Sequence, residues 1–414
     1  VTVSVLYWRC PMSSGAEAST NVDVLPAIRP RSANREDKWS DFAVLYRGPE
    51  LVVVDKPHDV AMDGARSDES ECTVERWVAR GPLATDGFLS ERLPEGACTV
   101  QGGGRPVLGD KALKFVHQLD YATSGVLCLA FSRDMAAAVA HCFEFRHTRK
   151  EYSALLCGWI PDAQLPLRPA RPGAASPAED SAAAATVACG GRKLPKQVNL
   201  AAAVLDDALG AAVLDWPIEP DPTDPEGFRM RVPAAAESTE ANGEGEAPAK
   251  TRAQEAVTVL NVLGRGYTTV NVLGTDGTVV GTERLKTTHV RLRLFTGRRH
   301  QLRVHCATFG FPIVGDATYA PAFAREARSA DDPSTLAAGR MMLHALRLRI
   351  GLDVAAHTRM TAAERNKAKR VRRRETNGFD PIMDDDALPH TDFASSDRLL
   401  EHFVLEAASG EVAS

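Results

Sequence analysis

The stretch Phe115-Val116-His117-Gln118-Leu119-Asp120-Tyr121-Ala122-Thr123-Ser124-Gly125, running straight into Val126-Leu127-Cys128-Leu129-Ala130-Phe131, decides how the rest of the chain is read. A polar loop ending in Thr-Ser-Gly feeds an apolar run of strand length and strand composition. Gly125 supplies a permissive backbone for the turn, and Thr123 and Ser124 are placed to satisfy its free amides. Asp120 is thereby held on a short loop just before a buried strand. A carboxylate there is either a turn former or a reactive group, and this stretch alone leaves both readings open.

Upstream, Phe42-Ala43-Val44-Leu45-Tyr46, a Gly48-Pro49 turn and Leu51-Val52-Val53-Val54-Asp55-Lys56-Pro57 predict two short strands, the second ended by proline. Thr73 to Arg80 predicts a short helix with Thr73 as N-cap. Residues 81–112, rich in Gly and Pro, predict an insertion loop. Within it Gly104 to Lys111 superficially resembles a phosphate-binding loop, but Asp110 stands where the signature needs Lys. Downstream, Asp134 to Phe145 has helical spacing and Arg149 to Gly158 reads as a strand. Residues 161–210 carry no predicted order, and Leu214–Ile218 and Phe228–Val232 predict brief strands. The Glu/Ala/Gly/Pro run at 234–249 predicts a mobile loop. Val257–Leu263 and Tyr267–Leu273 predict a hairpin, Thr288–Leu294 a half-buried strand, Arg298–Ala307 a helix, and Met342–Leu348 a last core strand.

Strands and scattered helices without βαβ alternation favour an α+β fold. The chain has 414 residues, a net charge of -5 and eight cysteines without a CxxC pair. A uniformly basic nucleic-acid coat is excluded, a local basic cleft is not, and neither a zinc ribbon nor a disulfide scaffold is indicated. No apolar stretch is long enough to cross a bilayer. We divide the chain into an N-terminal extension (1–40), one catalytic domain (41–355, with insertions at about 81–112, 161–210 and 233–255) and a C-terminal extension (356–414). The first sixteen residues lack acids, which makes a mitochondrial location the expectation, with cytoplasm or nucleus as alternatives.

Four pieces in order resemble the RluA-type pseudouridine synthases: Val52 to Pro57, His117 to Gly125, Lys150-Glu151-Tyr152, and Thr296 to His305 continuing to Gly315-Asp316. Leu343-His344-Ala345 adds a minor fifth. The resemblance spans residues 42 to 350 and implies a mixed, mostly antiparallel sheet with flanking helices and a central RNA-binding cleft. It implies isomerisation of uridine to pseudouridine in structured RNA, with ribosomal RNA expected, and no metal or organic cofactor. Asp120 would be the nucleophile, Arg303 its partner, and Tyr152 the ring that stacks on a flipped base. Leu343 would line the uracil pocket. His117, Gln118, Thr123, Lys150, Arg298 and His300 are the other candidate RNA contacts, with Lys150 and Arg298 suited to phosphates. The His117 ring itself reads as a structural hydrogen-bonder.

The sequence departs from that family at Gln118, where arginine is common and helps to displace the target base. Gln118 and the insertions motivate a second reading, an RNA-binding ribosome-assembly factor with weak or no catalysis that contacts ribosomal or assembly proteins. A hydrolase is disfavoured, since no GxSxG elbow is present. No S4-type RNA-binding module is visible in the first forty residues. The basic cluster Lys367 to Arg374 is a solvated segment, a strap on RNA phosphates or a nuclear address.

Overall fold

In a computed structural model of the chain, the described residues are 37–63, 71–89, 98–101, 105–108, 112–165, 186–189, 196–199, 207–234, 253–323, 334–375 and 390–405, with 204, 205 and 332. In chain order they give β1 (Ala43–Arg47), β2 (Leu51–Lys56), α1 (Val74–Arg80), α2 (Pro82–Thr85), β3 (Cys98–Gln101), β4 (Arg105–Leu108), β5 (Lys114–Phe115), β6 (Ser124–Ala130), α3 (Arg133–Glu144) and β7 (Thr148–Cys157). There follow β8 (Thr186–Cys189), β9 (Lys196–Asn199), β10 (Gly210–Leu214), β11 (Glu219–Pro220), β12 (Met230–Arg231), β13 (Thr258–Leu273), β14 (Val279–Leu294) and α4 (Gln301–Thr308). The chain continues with β15 (Thr335–Ala337), β16 (Leu343–Ile350), α5 (Val354–Arg359), α6 (Ala362–Glu375), β17 (Thr391–Ala394) and β18 (Val404–Leu405). The class is α+β, as expected, and the strand pairings are predominantly antiparallel.

Two compact units divide the chain. The first, here the Asp120 unit, holds Arg29–Lys150 and Ala345–Ser396; the second, the Arg303 unit, holds Glu151–His344 and Asp397–Ser414. The boundary falls inside β7 and inside β16. In the Asp120 unit, β1, β2 and β6 pair antiparallel in that order, and β17 pairs with β16. The run Leu51-Val52-Val53-Val54 is apolar without alternation because β2 is buried along its whole length. Met135, Val139 and Cys142, at helical spacing on α3, pack with Leu51, Val53, Val126 and Cys128 in one core cluster. Ser132 caps α3 by accepting the Met135 N–H, and Thr73 caps α1 as predicted by accepting that of Arg76.

In the Arg303 unit β13 and β14 form a long antiparallel ribbon, and β10, β15 and β18 pair with β13. The predicted hairpin at 257–273 is one continuous strand, with a register shift between Val262 and Gly264 in place of a turn. Gly266 serves close approach instead: a Cβ there would lie 2.1 Å from the Val404 carbonyl oxygen and 2.9 Å from the Phe403 ring. Residues 81–112 are likewise not all loop, since they contain α2 and the β3–β4 hairpin. Residues 161–210 include the β8–β9 hairpin. Their turn-rich composition hid short hairpins whose strands pair only with each other. Residues 1–36, the Gly104-to-Lys111 comparison in part, and the run at 234–249 apart from Ala234 lie outside the described residues.

Gly125 takes φ +116°, and a Cβ there would sit 2.2 Å from the Ala345 carbonyl oxygen and 2.6 Å from its nitrogen. Gly125→Ala is expected to destabilise the protein by about 2–5 kcal/mol in urea unfolding, through backbone strain and overpacking together. Gly281→Ala, where a Cβ meets nothing within 4 Å, is expected to stay within ~1 kcal/mol of wild type.

Candidate active site

In the Asp120 unit, the loop between β5 and β6 is immobilised on both sides of its acid. Leu119 and Tyr121 are buried, Asp120 between them is half-buried, and Gln118 is exposed. The Asp120 carbonyl accepts the Thr123 N–H at 3.0 Å, closing a turn, and the Tyr121 carbonyl accepts the Val60 N–H at 3.2 Å. Lys56, fully buried, donates to the carbonyls of Pro57 (2.9 Å), Val60 (2.9 Å) and Tyr121 (3.1 Å). Three carbonyls thus take up the donors of one buried ammonium. The strand-ending Lys-Pro thus also anchors the loop bearing Asp120. That role was not read from the sequence, where Lys56 counted only as part of a motif.

His117 is a structural hydrogen-bonder. Burial, helped by the Lys150 charge, pushes its imidazole down to about 3, so the ring is neutral and Nε2 accepts the Cys128 N–H at 3.0 Å. Its ring stacks on Phe143 at 5.0 Å, and the Lys150 ammonium lies over the same Phe143 ring at 5.9 Å. Thr123 and Ser124 are buried beneath the loop.

The Arg303 unit carries the second group of predicted residues. Strand alternation separates Glu151 from Tyr152: Glu151 is buried beside Arg293 (3.2 Å) and Arg291 (3.6 Å), and Tyr152 is half-exposed. Gln301 organises the entry to α4. Its Oε1 accepts the Thr296 hydroxyl (2.8 Å) and the Arg298 N–H (3.0 Å), and its Nε2 donates to the Val257 carbonyl and Thr258 hydroxyl, each at 3.0 Å. Arg298 reaches the Glu255 carbonyl (2.8 Å) and Gln254 (2.9 Å). His300 stands at the helix N-cap with φ +54°, a left-handed conformation costly for any residue but glycine. The Tyr319 hydroxyl, which accepts the Met230 N–H at 2.8 Å, holds His300 Nδ1 at 2.7 Å.

Arg303 is buried and makes a fork with Asp316, Nε to Oδ2 at 2.7 Å and Nη2 to Oδ1 at 2.8 Å. Burial pushes the Asp316 carboxyl up, but Arg303 and the Thr318 and Tyr319 amides outweigh it and hold the group below its ordinary value. Tyr319 also lies against the Arg303 guanidinium at 5.0 Å and the Arg229 guanidinium at 5.9 Å. Arg299 covers Phe228 at 5.1 Å, and Phe228 meets His300 edge-on at 4.9 Å. Phe228, Arg229 and Tyr319 escaped the sequence reading because nothing local links residues so far apart along the chain. Leu343 is buried. Among the described residues no three His, Cys, Asp or Glu side chains are grouped to hold a metal ion, and no helix is long and apolar enough to cross a membrane.

Residues 50–308, well over half of the chain, match the family model described as RNA pseudouridylate synthase. The chain belongs to that family. It is a pseudouridine synthase of the RluA type, an RNA-modifying isomerase. It is 26% identical over 361 residues to human RNA pseudouridylate synthase domain-containing protein 1, covering 87% of this chain and 78% of that one. To tRNA pseudouridine synthase C of Salmonella typhi it is 27% identical over 310 residues, covering 74% and 79%. The solved structure of human RNA Pseudouridylate Synthase Domain Containing 1 aligns at 25% identity with a TM-score of 0.40, covering 76% of this chain and 80% of that one.

Two stability predictions follow from this geometry. Asp316→Ala removes the carboxylate that a buried guanidinium bonds at two points and is expected to cost about 3–5 kcal/mol, while Arg303→Met/Asp316→Leu recovers most of that loss in urea unfolding. His117 titrates near 6.5 when unfolded and near 3 when folded. The unfolded chain therefore binds the extra proton throughout that window, so His117 lowers stability as pH falls through it. His305, held down to about 4 by burial, acts with the same sign. In wild type the urea midpoint is expected to drop on acidification from about pH 6.5, and His117→Gln is expected to flatten that slope.

Proposed function

We propose that the Asp120 carboxylate is the nucleophile, acting on uridine in structured RNA, with ribosomal RNA as the first class of target. In the overall isomerisation the N1–C1′ bond breaks, the uracil turns, and C5 joins C1′. C5 gives up its proton and N1 gains one. The single observation carrying the assignment is a half-buried acid between two buried, hydrogen-bonded neighbours, so its carboxylate is presented without freedom of the backbone. Arg303, matched to the family's charge partner, is assigned to keep that carboxylate ionised, and Tyr152 to stack on the displaced uracil. Leu343 is assigned to the uracil pocket. Lys150 and Arg298, with part-exposed side chains, are assigned to phosphates; His117, Thr123 and His300 serve RNA binding by shaping the surfaces they support.

Gln118 is exposed and brings no charge to base displacement. Unpairing a base costs a few kcal/mol, so uridines already unpaired are the favoured substrates. The relative named as a tRNA enzyme, matching 74% of this chain, makes transfer RNA the competing target class.

Asp120→Asn is expected to abolish release of the C5 hydrogen from uridine-labelled RNA, by a factor of at least ~1,000, while RNA binding persists. An active Asp120→Asn protein ends the nucleophile assignment. Site-resolved pseudouridine mapping in cells carrying wild type or Asp120→Asn names the target RNA. Identical maps, with an assembly defect only on deletion, would favour the assembly-factor reading instead.

A further inference from the structure

The basic cluster near the C-terminus lies on a formed helix. Within the fourteen residues of α6 stand seven Lys or Arg and two Glu, in a chain whose net charge is -5. Its first turn is fixed. The Thr361 N–H and hydroxyl both donate to the Glu364 carboxylate at 2.8 Å, a capping box. Arg365 then donates to Glu50 (3.1 Å), Asp134 (3.4 Å) and the Met360 and Thr358 carbonyls.

Beyond Arg365 the character changes. Asn366, Lys367, Lys369, Arg370 and Val371 are exposed, and Ala368 is part-covered. Among the described residues Lys367, Lys369 and Arg370 make no ion pair. Lys367 and Arg370 stand at i, i+3, where like charges repel. A helix polar on this face buries little apolar surface of its own, and what it presents to its surroundings is a run of cations.

The chemistry of the surface selects that partner. Docking into a protein groove needs apolar anchors at i, i+3, i+4 and i+7, and lying in a membrane surface needs an apolar face. Val371 is the only large apolar residue of this helix. A polyphosphate backbone asks for charge alone, and is the ligand for which desolvating no apolar face is required.

We infer that α6, through Lys367, Lys369 and Arg370, is a docking surface for the phosphodiester backbone of the RNA substrate, adding affinity without reading bases. The inference rests on the RNA-modifying reading above but is independent of Asp120. The test is fluorescence anisotropy of the full chain with a labelled, structured RNA across a salt series. Lys367→Gln/Lys369→Gln/Arg370→Gln is expected to weaken binding about 10-fold or more at low salt. It is also expected to make the log–log salt slope shallower by about 2–3, since each neutralised phosphate contributes roughly 0.7–0.9. The charge-preserving Lys367→Arg/Lys369→Arg/Arg370→Lys is expected to keep affinity and slope, and its failure would overturn the inference by exposing a structural role. An unchanged slope in the Gln variant overturns it too. So does loss of binding only to vesicles containing anionic phospholipid, which would make the surface a lipid contact. Asp120→Asn is expected to keep the full slope, so loss of the catalytic reading and loss of this one are seen in different measurements.

Discussion

The Lys56 ammonium, wholly buried and shared among the carbonyls of Pro57, Val60 and Tyr121, is the constraint on which the Asp120 unit turns. A buried cation tolerates burial only when its protons are taken. Meeting that demand ties the end of β2 to the residue next to Asp120. The cost is met by fixed geometry, because the carbonyls involved belong to a strand end and a loop that sheet pairing already holds. The close approach of Gly125 to the Ala345 backbone fixes the other end of the same loop. Between these two points little backbone freedom is left to the acid.

The Arg303 unit uses a different device for a similar end. One amide, that of Gln301, satisfies four partners around the start of α4. His300, immediately before it, is held in a left-handed conformation by Tyr319. Strain of this kind persists only where surroundings over-determine it, and it collects at working surfaces. The Arg303–Asp316 fork then stiffens the following turn, since a buried guanidinium paired in two-point geometry cannot swing without breaking both bonds. The charge placement is therefore structural.

Much of this architecture is legible locally. Leu51 to Val54 reads as a strand because it is an apolar, largely β-branched run closed by proline, and Thr73 reads as a cap because its hydroxyl suits one. The Thr296-to-His305 stretch announces a turn and a helix by spacing alone. Reading failed where a local signal had a distant cause. Gly264 and Gly266 look like a turn, yet they are there because Phe403, Val404 and Leu405 return to lie against β13. No window of sequence contains both partners.

The sequence by itself determined the secondary structure near the motifs, through side-chain chemistry and short-range periodicity, which are properties of neighbouring residues. The family was legible in another way, from the likeness of an ordered set of motifs to known sequences. Only the tertiary structure decided that Lys56 anchors the Asp120 loop, that Asp316 is an acid bound by Arg303, and that Phe228, Arg229 and Tyr319 gather around His300. Such pairings join residues remote along the chain, and burial gives them their strength. Neither distance nor burial is written in the order of the amino acids.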